Sequence, residues 1–228
     1  MQHLAIIPDG NRRWAMQNKL ASLLGHQRGA EGFKTTLRFC LKQGIPYVSF
    51  YTFSLENFRR SESESNALFS MLQQLMLENL EDFLRNNIRV KFIGDRTVFP
   101  AMLKADIEHI EQATSACSAV TVNLLFCYGG TAEITYATKQ IAQQVKDGTL
   151  AVEDITEETI AKNLWTGDTP VPDVILRTSG VKRLSNYLLY QAAYSELIFL
   201  DKFWPEITEA DLEQCLEKFH TIKRNFGT

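Results

Sequence analysis

The chain lacks most of the features that place a sequence quickly. Its four cysteines, Cys40, Cys117, Cys127 and Cys215, are widely spaced and form no CxxC pair, which argues against a disulfide scaffold or a thiolate metal site. Standing mostly in apolar runs such as LLFCY, they read as reduced, buried thiols of a cytosolic protein. No apolar run approaches the roughly 18 residues of a membrane span, and the N-terminus MQHLAIIPDG has no basic region leading into a long apolar stretch. A soluble, cytoplasmic protein without a transmembrane segment is expected. Charge of one sign is missing as well: 24 Lys and Arg against 27 Asp and Glu leave a net charge of -3, so no nucleic-acid partner is expected and any anion site must be local. GxxxxGK[ST], GxGxxG after a strand, HExxH and GxSxG are all absent, which sets aside P-loop, dinucleotide, zinc-protease and α/β-hydrolase chemistry.

What the 228 residues do contain is 45% hydrophobic side chains, enough to bury one core, read as a single domain over 1–228. Short apolar runs alternate with longer helical patterns, the signature of strands joined by crossover helices. Six strands are predicted, at His3 to Pro8, Tyr47 to Phe53, Arg89 to Gly94, Val120 to Cys127, Asp173 to Arg177 and Glu196 to Leu200. Helices are predicted near 26–43, 64–86, 99–115, 131–147, 157–165, 185–193 and 208–225. The fold class is therefore α/β, a largely parallel sheet of about six strands flanked by helices. No repeat or low-complexity tract interrupts it; the segment 147–172 reads as a surface connection with one short helix.

Ligands of open parallel sheets bind beyond the carboxyl ends of the strands. Those ends carry Asp9-Gly10-Asn11-Arg12-Arg13-Trp14, Ser54-Leu55-Glu56-Asn57-Phe58-Arg59-Arg60, Gly94-Asp95, Tyr128-Gly129-Gly130, and Arg177-Thr178-Ser179-Gly180 with Arg183, Leu184, Ser185 and Asn186. Arginines gathered at one edge of a slightly acidic protein suit compact polyanions, with diphosphate the natural candidate. The amides of DGN and TSG, each read as entering a helix, would add backbone anion donors. Asp9, an acid amid bases, could hold Mg²⁺ that bridges phosphate oxygens, or could simply cap a helix. His26 in LGHQRG alone reads as a capping or packing histidine rather than a catalytic one, and any single arginine as a solvated or helix-capping residue. The inference rests on their convergence.

The segments HLAIIPDGNRRWA, GHQRGA, FYTFSLENFRRSESE, FIGD, NLLFCYGG and DVILRTSGVKRLSNYLLYQAAYSELIF span nearly the whole chain. In this order and spacing the sequence resembles the cis-prenyltransferases, particularly the bacterial branch that makes undecaprenyl diphosphate. The resemblance implies condensation of isopentenyl diphosphate with an allylic diphosphate such as farnesyl diphosphate, a Mg²⁺ cofactor, a homodimer, and a product handed to the inner membrane face. It implies Asp9 as metal ligand and central acid, aided by Glu196 from the same or the facing subunit. Gly10, Asn11, Arg12 and Arg13 would surround the allylic diphosphate, with Ser22 and His26 close by, and Arg177, Arg183, Leu184 and Ser185 would hold isopentenyl diphosphate. Trp14 and Phe58 would pack on prenyl chains. Ser54, Leu55, Glu56, Asn57 and Arg60 would belong to a closing loop, Asn57 assisting proton removal.

The helix at 64–86 places Ala67, Leu68, Met71, Leu72, Leu75, Met76 and Leu80 on one broad face, which pattern alone assigns to core packing. The resemblance assigns it to the wall of an apolar product tunnel. The chain departs from the bacterial pattern at Pro8, Arg12, Ser22 and, most consequentially, Val181-Lys182, where a Glu followed by His or Gln is usual. Two other readings stay open: a shorter-chain synthase, or one joining two small prenyl units, and a non-catalytic homologue serving as a binding subunit.

Overall fold

In the computed structural model, which describes residues 1–59 and 61–222, all six strands form one sheet: β1 (His3–Ile7), β2 (Tyr47–Ser54), β3 (Ile88–Ile93), β4 (Val120–Tyr128), β5 (Val174–Arg177) and β6 (Glu196–Phe199). The order is β3-β4-β2-β1-β5-β6 and every pairing is parallel. All strand ends that carry polar motifs therefore point the same way. The pleat sends Leu4, Ile6, Val48, Phe50, Val122 and Leu124 to one face and Ala5, Ile7, Tyr51, Leu125 and Tyr128 to the other.

The first face is covered by α2 (Ser22–Gln43), α3 (Glu62–Glu78), α5 (Ala101–Ala113) and α8 (Glu209–Thr221), which contribute Phe33, Phe69, Ile107 and Leu212 to the core. The second lies under α6 (Gly130–Lys146), α7 (Glu157–Asn163) and the irregular segment 184–194. Local chemistry sets the helix ends. Gly44 closes α2 at φ 65°, Ser61 accepts the Glu64 amide at the start of α3, and Thr208 forms a capping box with Asp211 before α8.

Several expectations change. A short helix, α1 (Asn11–Gln17), follows Gly10, and α2 begins four residues earlier than its pattern suggested because Ser22 to Gly25 already turn. The helix expected over 64–86 breaks at Asn79, whose side chain bonds the Leu75 carbonyl, and restarts as α4 (Leu80–Arg85). The region 185–193 is not a helix. Ser185, Asn186 and Leu188 adopt φ 51°, 65° and 44°, a left-handed run that no α-helix admits, and only a 3-10 turn at Gln191–Tyr194 follows. The TSG segment likewise enters a loop; its Ser179 and Gly180 amides bond the Lys202 and Leu200 carbonyls at 2.7 and 2.8 Å and so are not anion donors. Cys40, Cys127 and Cys215 are buried and Cys117 only partly so, all four free. Among the described residues no helix is long and apolar enough to cross a membrane. The expected extension of the last helix to 225 runs into residues outside those described.

Candidate active site

Strands β1 and β5 are neighbours, with Ile7 level with Arg177, so the turn after one meets the last side chain of the other. The Arg177 side chain is only 5% exposed. Its Nη2 donates to Asp9 Oδ2 at 2.7 Å, and its Nη1 to the Arg183 carbonyl at 2.5 Å and Ser185 Oγ at 2.7 Å. Arg13 Nη2 donates to the other Asp9 oxygen at 3.1 Å and to Ser179 Oγ at 2.5 Å. Burial pushes the Asp9 carboxyl upward, but the Arg177 and Ser179 hydrogen bonds and the charges of Arg177 and Arg13 outweigh it and hold Asp9 below the usual carboxylate range. Asp9 is thus a fixed anion between two guanidinium groups. The Thr178 hydroxyl and the Trp204 amide fix its backbone carbonyl at 2.7 and 3.0 Å. The Nε of Arg177 and the Oδ1 of Asn11 are buried without a hydrogen-bond partner among the described residues, an arrangement that a polar ligand would complete.

Helix α2 approaches this turn closely because its inner face is glycine. A Cβ on Gly25 would lie 2.1 Å from the Asn11 carbonyl oxygen and one on Gly29 2.5 Å from Asn11 Oδ1. Glycine inside a helix costs roughly 1 kcal/mol relative to alanine, and here that cost accompanies backbone contact that sets His26 beside the Asp9 turn. Gly10 sits at φ 111°, and a Cβ there would meet Phe203 at 2.7 Å.

From this charged centre a cavity of about 630 Å³ runs between α2, α3 and the sheet. Its mouth is walled by Asp9, Arg13, Asn57, Arg177, Arg183 and Ser185, and its depth by apolar side chains: Phe33 from α2, Phe50 and Phe126 from the sheet, and Leu68, Leu72 and Met76 from α3. Of the seven residues expected on one α3 face, Leu68, Met71, Leu72, Leu75 and Met76 line it; Ala67 and Leu80 do not. A second cavity of about 610 Å³ shares Pro8, Asp9, Asn11, Arg13 and His26 with the first and adds Gly10, Arg12 and Ser22. Two polar chambers meeting at one aspartate suit two anionic ligands side by side.

The remaining site segments lock to one another. Ser54 ends β2, and Leu55 to Arg59 form a 3-10 turn in which Asn57 Oδ1 accepts the Ser54 amide at 3.2 Å. Asn186 Nδ2 donates to Glu56 at 2.6 Å, while its Oδ1 and carbonyl accept the amides of Thr131 and Gly130. The Tyr51 hydroxyl donates to the Ser185 carbonyl at 3.3 Å. Burial first, then the Glu56 charge, push that phenol well above its ordinary range, so it stays protonated and can donate.

Some expected site residues stand elsewhere. Phe58 packs edge-on against Phe53 and on Phe69, both cavity-lining, without lining it itself. Trp14 belongs to the wall of neither cavity, and Leu184 packs with the aromatic cluster of the second face. Arg12, by contrast, remains on the wall of the second cavity while pairing with Glu64 at 3.5 Å. Gly94-Asp95 lies at a separate hollow near α7, Asp95 capping the Thr97 amide. Arg60 lies outside the described residues. Glu196 opens β6 level with Val174 and Leu4, about 10 Å below the ends of the strands, so within one subunit it does not meet Asp9. Among the described residues no three His, Cys, Asp or Glu side chains gather as a metal site. One carboxylate with substrate phosphates is nonetheless a common Mg²⁺ arrangement, and Asp9 fits it. The sequence points to no side-chain role for Ser179, Asn186 or Tyr51, nor to the aromatic walls contributed by strands; the alternation of Phe50 and Tyr51 is the available signal.

The chain is similar to known proteins over nearly its whole length. The protein family described as "Putative undecaprenyl diphosphate synthase" matches residues 7–227. A ditrans,polycis-undecaprenyl-diphosphate synthase, farnesyl-diphosphate specific, from Pasteurella multocida is 38% identical over 99% of this chain and 94% of its own. The geranylgeranyl-diphosphate-specific tritrans,polycis synthase of Thermoplasma acidophilum is 39% identical over 99% and 88%. The crystal structure of lavandulyl diphosphate synthase from Lavandula x intermedia, in complex with dimethylallyl diphosphate, superposes with a TM-score of 0.96 at 31% identity, covering 100% of this chain and 98% of that one.

Proposed function

This chain belongs to the cis-prenyltransferase family, and from that premise we propose that it condenses isopentenyl diphosphate with an allylic diphosphate, starting from farnesyl diphosphate and lengthening it to undecaprenyl diphosphate. The observation that carries the reading is continuity: the Asp9–Arg177 centre opens directly into a long apolar cavity. A diphosphate head and a hydrocarbon tail need those two environments joined in that order. Relatives that differ in starter are almost equally similar, so the choice of farnesyl follows the bacterial motif pattern.

In this reading Arg13 and Asn11 bind the allylic diphosphate, and Arg177, Arg183 and Ser185 bind that of isopentenyl diphosphate. Asp9 would hold Mg²⁺ together with phosphate oxygens, and the ion would neutralise charge building on the departing diphosphate. The guanidinium groups now on Asp9 turn to that same charge as the allylic C–O bond breaks and the isopentenyl double bond forms the new C–C bond. Asn57, on the cavity wall, assists loss of the C2 proton, which the departing diphosphate accepts. The apolar walls shelter the cation-like intermediate from water. A homodimer is part of the proposal: Val171, Tyr194 and Leu197 stand 61%, 64% and 44% exposed near edge strand β6, and Glu196 lies on that edge.

The test is incubation with farnesyl diphosphate, labelled isopentenyl diphosphate and Mg²⁺, with an EDTA control, followed by chromatography of the lipid products. A ladder ending near eleven isoprene units is expected. A shorter endpoint would keep the chemistry and change the product; no product with any allylic starter would overturn the reading.

A further inference from the structure

The corner where α1 turns into α2 is unlike the rest of the surface. Met16, Leu20, Leu23 and Leu24 are 74%, 42%, 38% and 43% exposed, four large apolar side chains within nine residues. Residues 10–30 also hold Arg12, Arg13, Lys19 and Arg28 and not one Asp or Glu, in a chain whose net charge is -3. The glycine face of α2 is turned inward against Asn11 and Trp204, which leaves Leu23, Leu24 and Arg28 on its exposed side. Lys19 is exposed with no ion pair among the described residues, whereas Arg12 is paired with Glu64 and Arg13 with Asp9. Met16 and Leu20 are at the same time wall residues of the second cavity, the chamber shared with Asp9, Arg13 and His26. The apolar corner is therefore the rim of the site.

A contiguous apolar patch on a soluble surface marks an interaction site, and the charge around it selects the partner. Apolar side chains flanked by Lys19 and Arg28, which have no ion pair among the described residues, suit the headgroup region of an anionic bilayer, into which they sink while these cations meet lipid phosphates. We propose that the α1–α2 corner docks this protein on anionic lipid and sets the rim of the second cavity against the membrane. The surface needs no turnover to act, so it is tested apart from the reaction.

The measurement is flotation of the purified full chain with vesicles of phosphatidylcholine alone and with phosphatidylglycerol added, at low and high salt. Binding is expected only with the anionic lipid and is expected to weaken with salt. Lys19→Glu with Arg28→Glu should lower the partition coefficient by about tenfold or more, and Leu23→Ser with Leu24→Ser should lower it for anionic vesicles without changing the salt response. None of these four side chains lines either cavity, so turnover of short, water-soluble substrates should be unchanged, and an unchanged melting temperature would show an intact fold. The proposal is overturned if the wild-type chain floats with neither vesicle or equally with both, or if the variants float like wild type. It is overturned also if the serine pair instead dissociates a dimer in light scattering, which would make the corner a contact between copies. Absence of product in the condensation assay would undo the proposed reaction and leave the flotation result standing.

Discussion

The two ends of the sheet bury titratable side chains in opposite ways. At the amino end His3 is 1% exposed. Its Nδ1 donates to the Pro170 carbonyl at 2.6 Å, so its Nε2 accepts from Ser49 Oγ at 2.7 Å, and Asn123 Nδ2 donates to the same hydroxyl at 3.1 Å. Every member of this group is neutral, and burial drives the imidazole down to about 4. At the carboxyl end Arg177, 4% exposed, keeps its charge against Asp9, with its Nε left unbonded. The neutral end leaves the Asn123 Oδ1 without a partner among the described residues and away from the cavity, while the charged end leaves the Arg177 Nε and the Asn11 Oδ1 on residues that line it. Only the second can offer its unbonded groups to a ligand there.

The largest effect should come from removing the anion at the charged end. Asp9→Ala should lower turnover by about a thousandfold and, by leaving Arg177 buried and unpaired, lower unfolding free energy by about 3 kcal/mol in a urea titration. Unchanged stability would show that the two ends tolerate loss alike. At the neutral end the effect should appear with pH. The unfolded chain protonates His3 near 6.5 and the folded chain only near 4, so across that window the unfolded state binds more protons. Stability should then fall as pH falls, by about 3 kcal/mol, and level off below the lower value. His3→Gln should flatten that part of the profile while leaving prenyl transfer at pH 7 within about twofold, since a neutral donor and acceptor remain.

A finer probe is Arg177→Lys, which keeps the charge but cannot bond Asp9, Arg183 and Ser185 at once. It should raise KM for isopentenyl diphosphate by about tenfold. The smallest effect expected is from Val181→Glu, which sets a carboxylate on the cavity wall near Arg177 and Arg183. It should lower that KM by about threefold through a second hydrogen-bonding group at the isopentenyl site, and unchanged steady-state kinetics would show that a neighbour already fills this role.

Much of this was legible beforehand because parallel strands impose one direction on their ends. Asp9, Arg13, Arg177, Arg183 and Ser185 are recognisable once β1 and β5 are placed, since each ends or follows a strand. What pattern could not supply was which neighbours touch. Asp9 reads as a dispensable exposed acid until its two guanidinium partners are seen. The stretch from Ser185 to Leu188 has apolar spacing that suits a helix, yet Arg177 bonds both the Arg183 carbonyl and the Ser185 hydroxyl, and left-handed dihedrals follow. Likewise the Ser179 and Gly180 amides are spoken for by the Lys202 and Leu200 carbonyls, twenty or more positions away. Glu196 belongs to a strand that starts where Asp9's strand also starts, a matter of register rather than of motif.

The glycine face of α2 carries a lesson for anyone seeking a hardier variant of this protein. Replacing helical glycine with alanine is a routine stabilising substitution, adding up to about 1 kcal/mol where space permits. At Gly25 and Gly29 the new methyl group would meet a backbone carbonyl and an asparagine oxygen at 2.1 and 2.5 Å. The same change at Gly44 or Gly148 meets no atom within 4 Å but must adopt φ of 65° or 71°. Heat tolerance in this chain has to be sought at positions other than these four glycines.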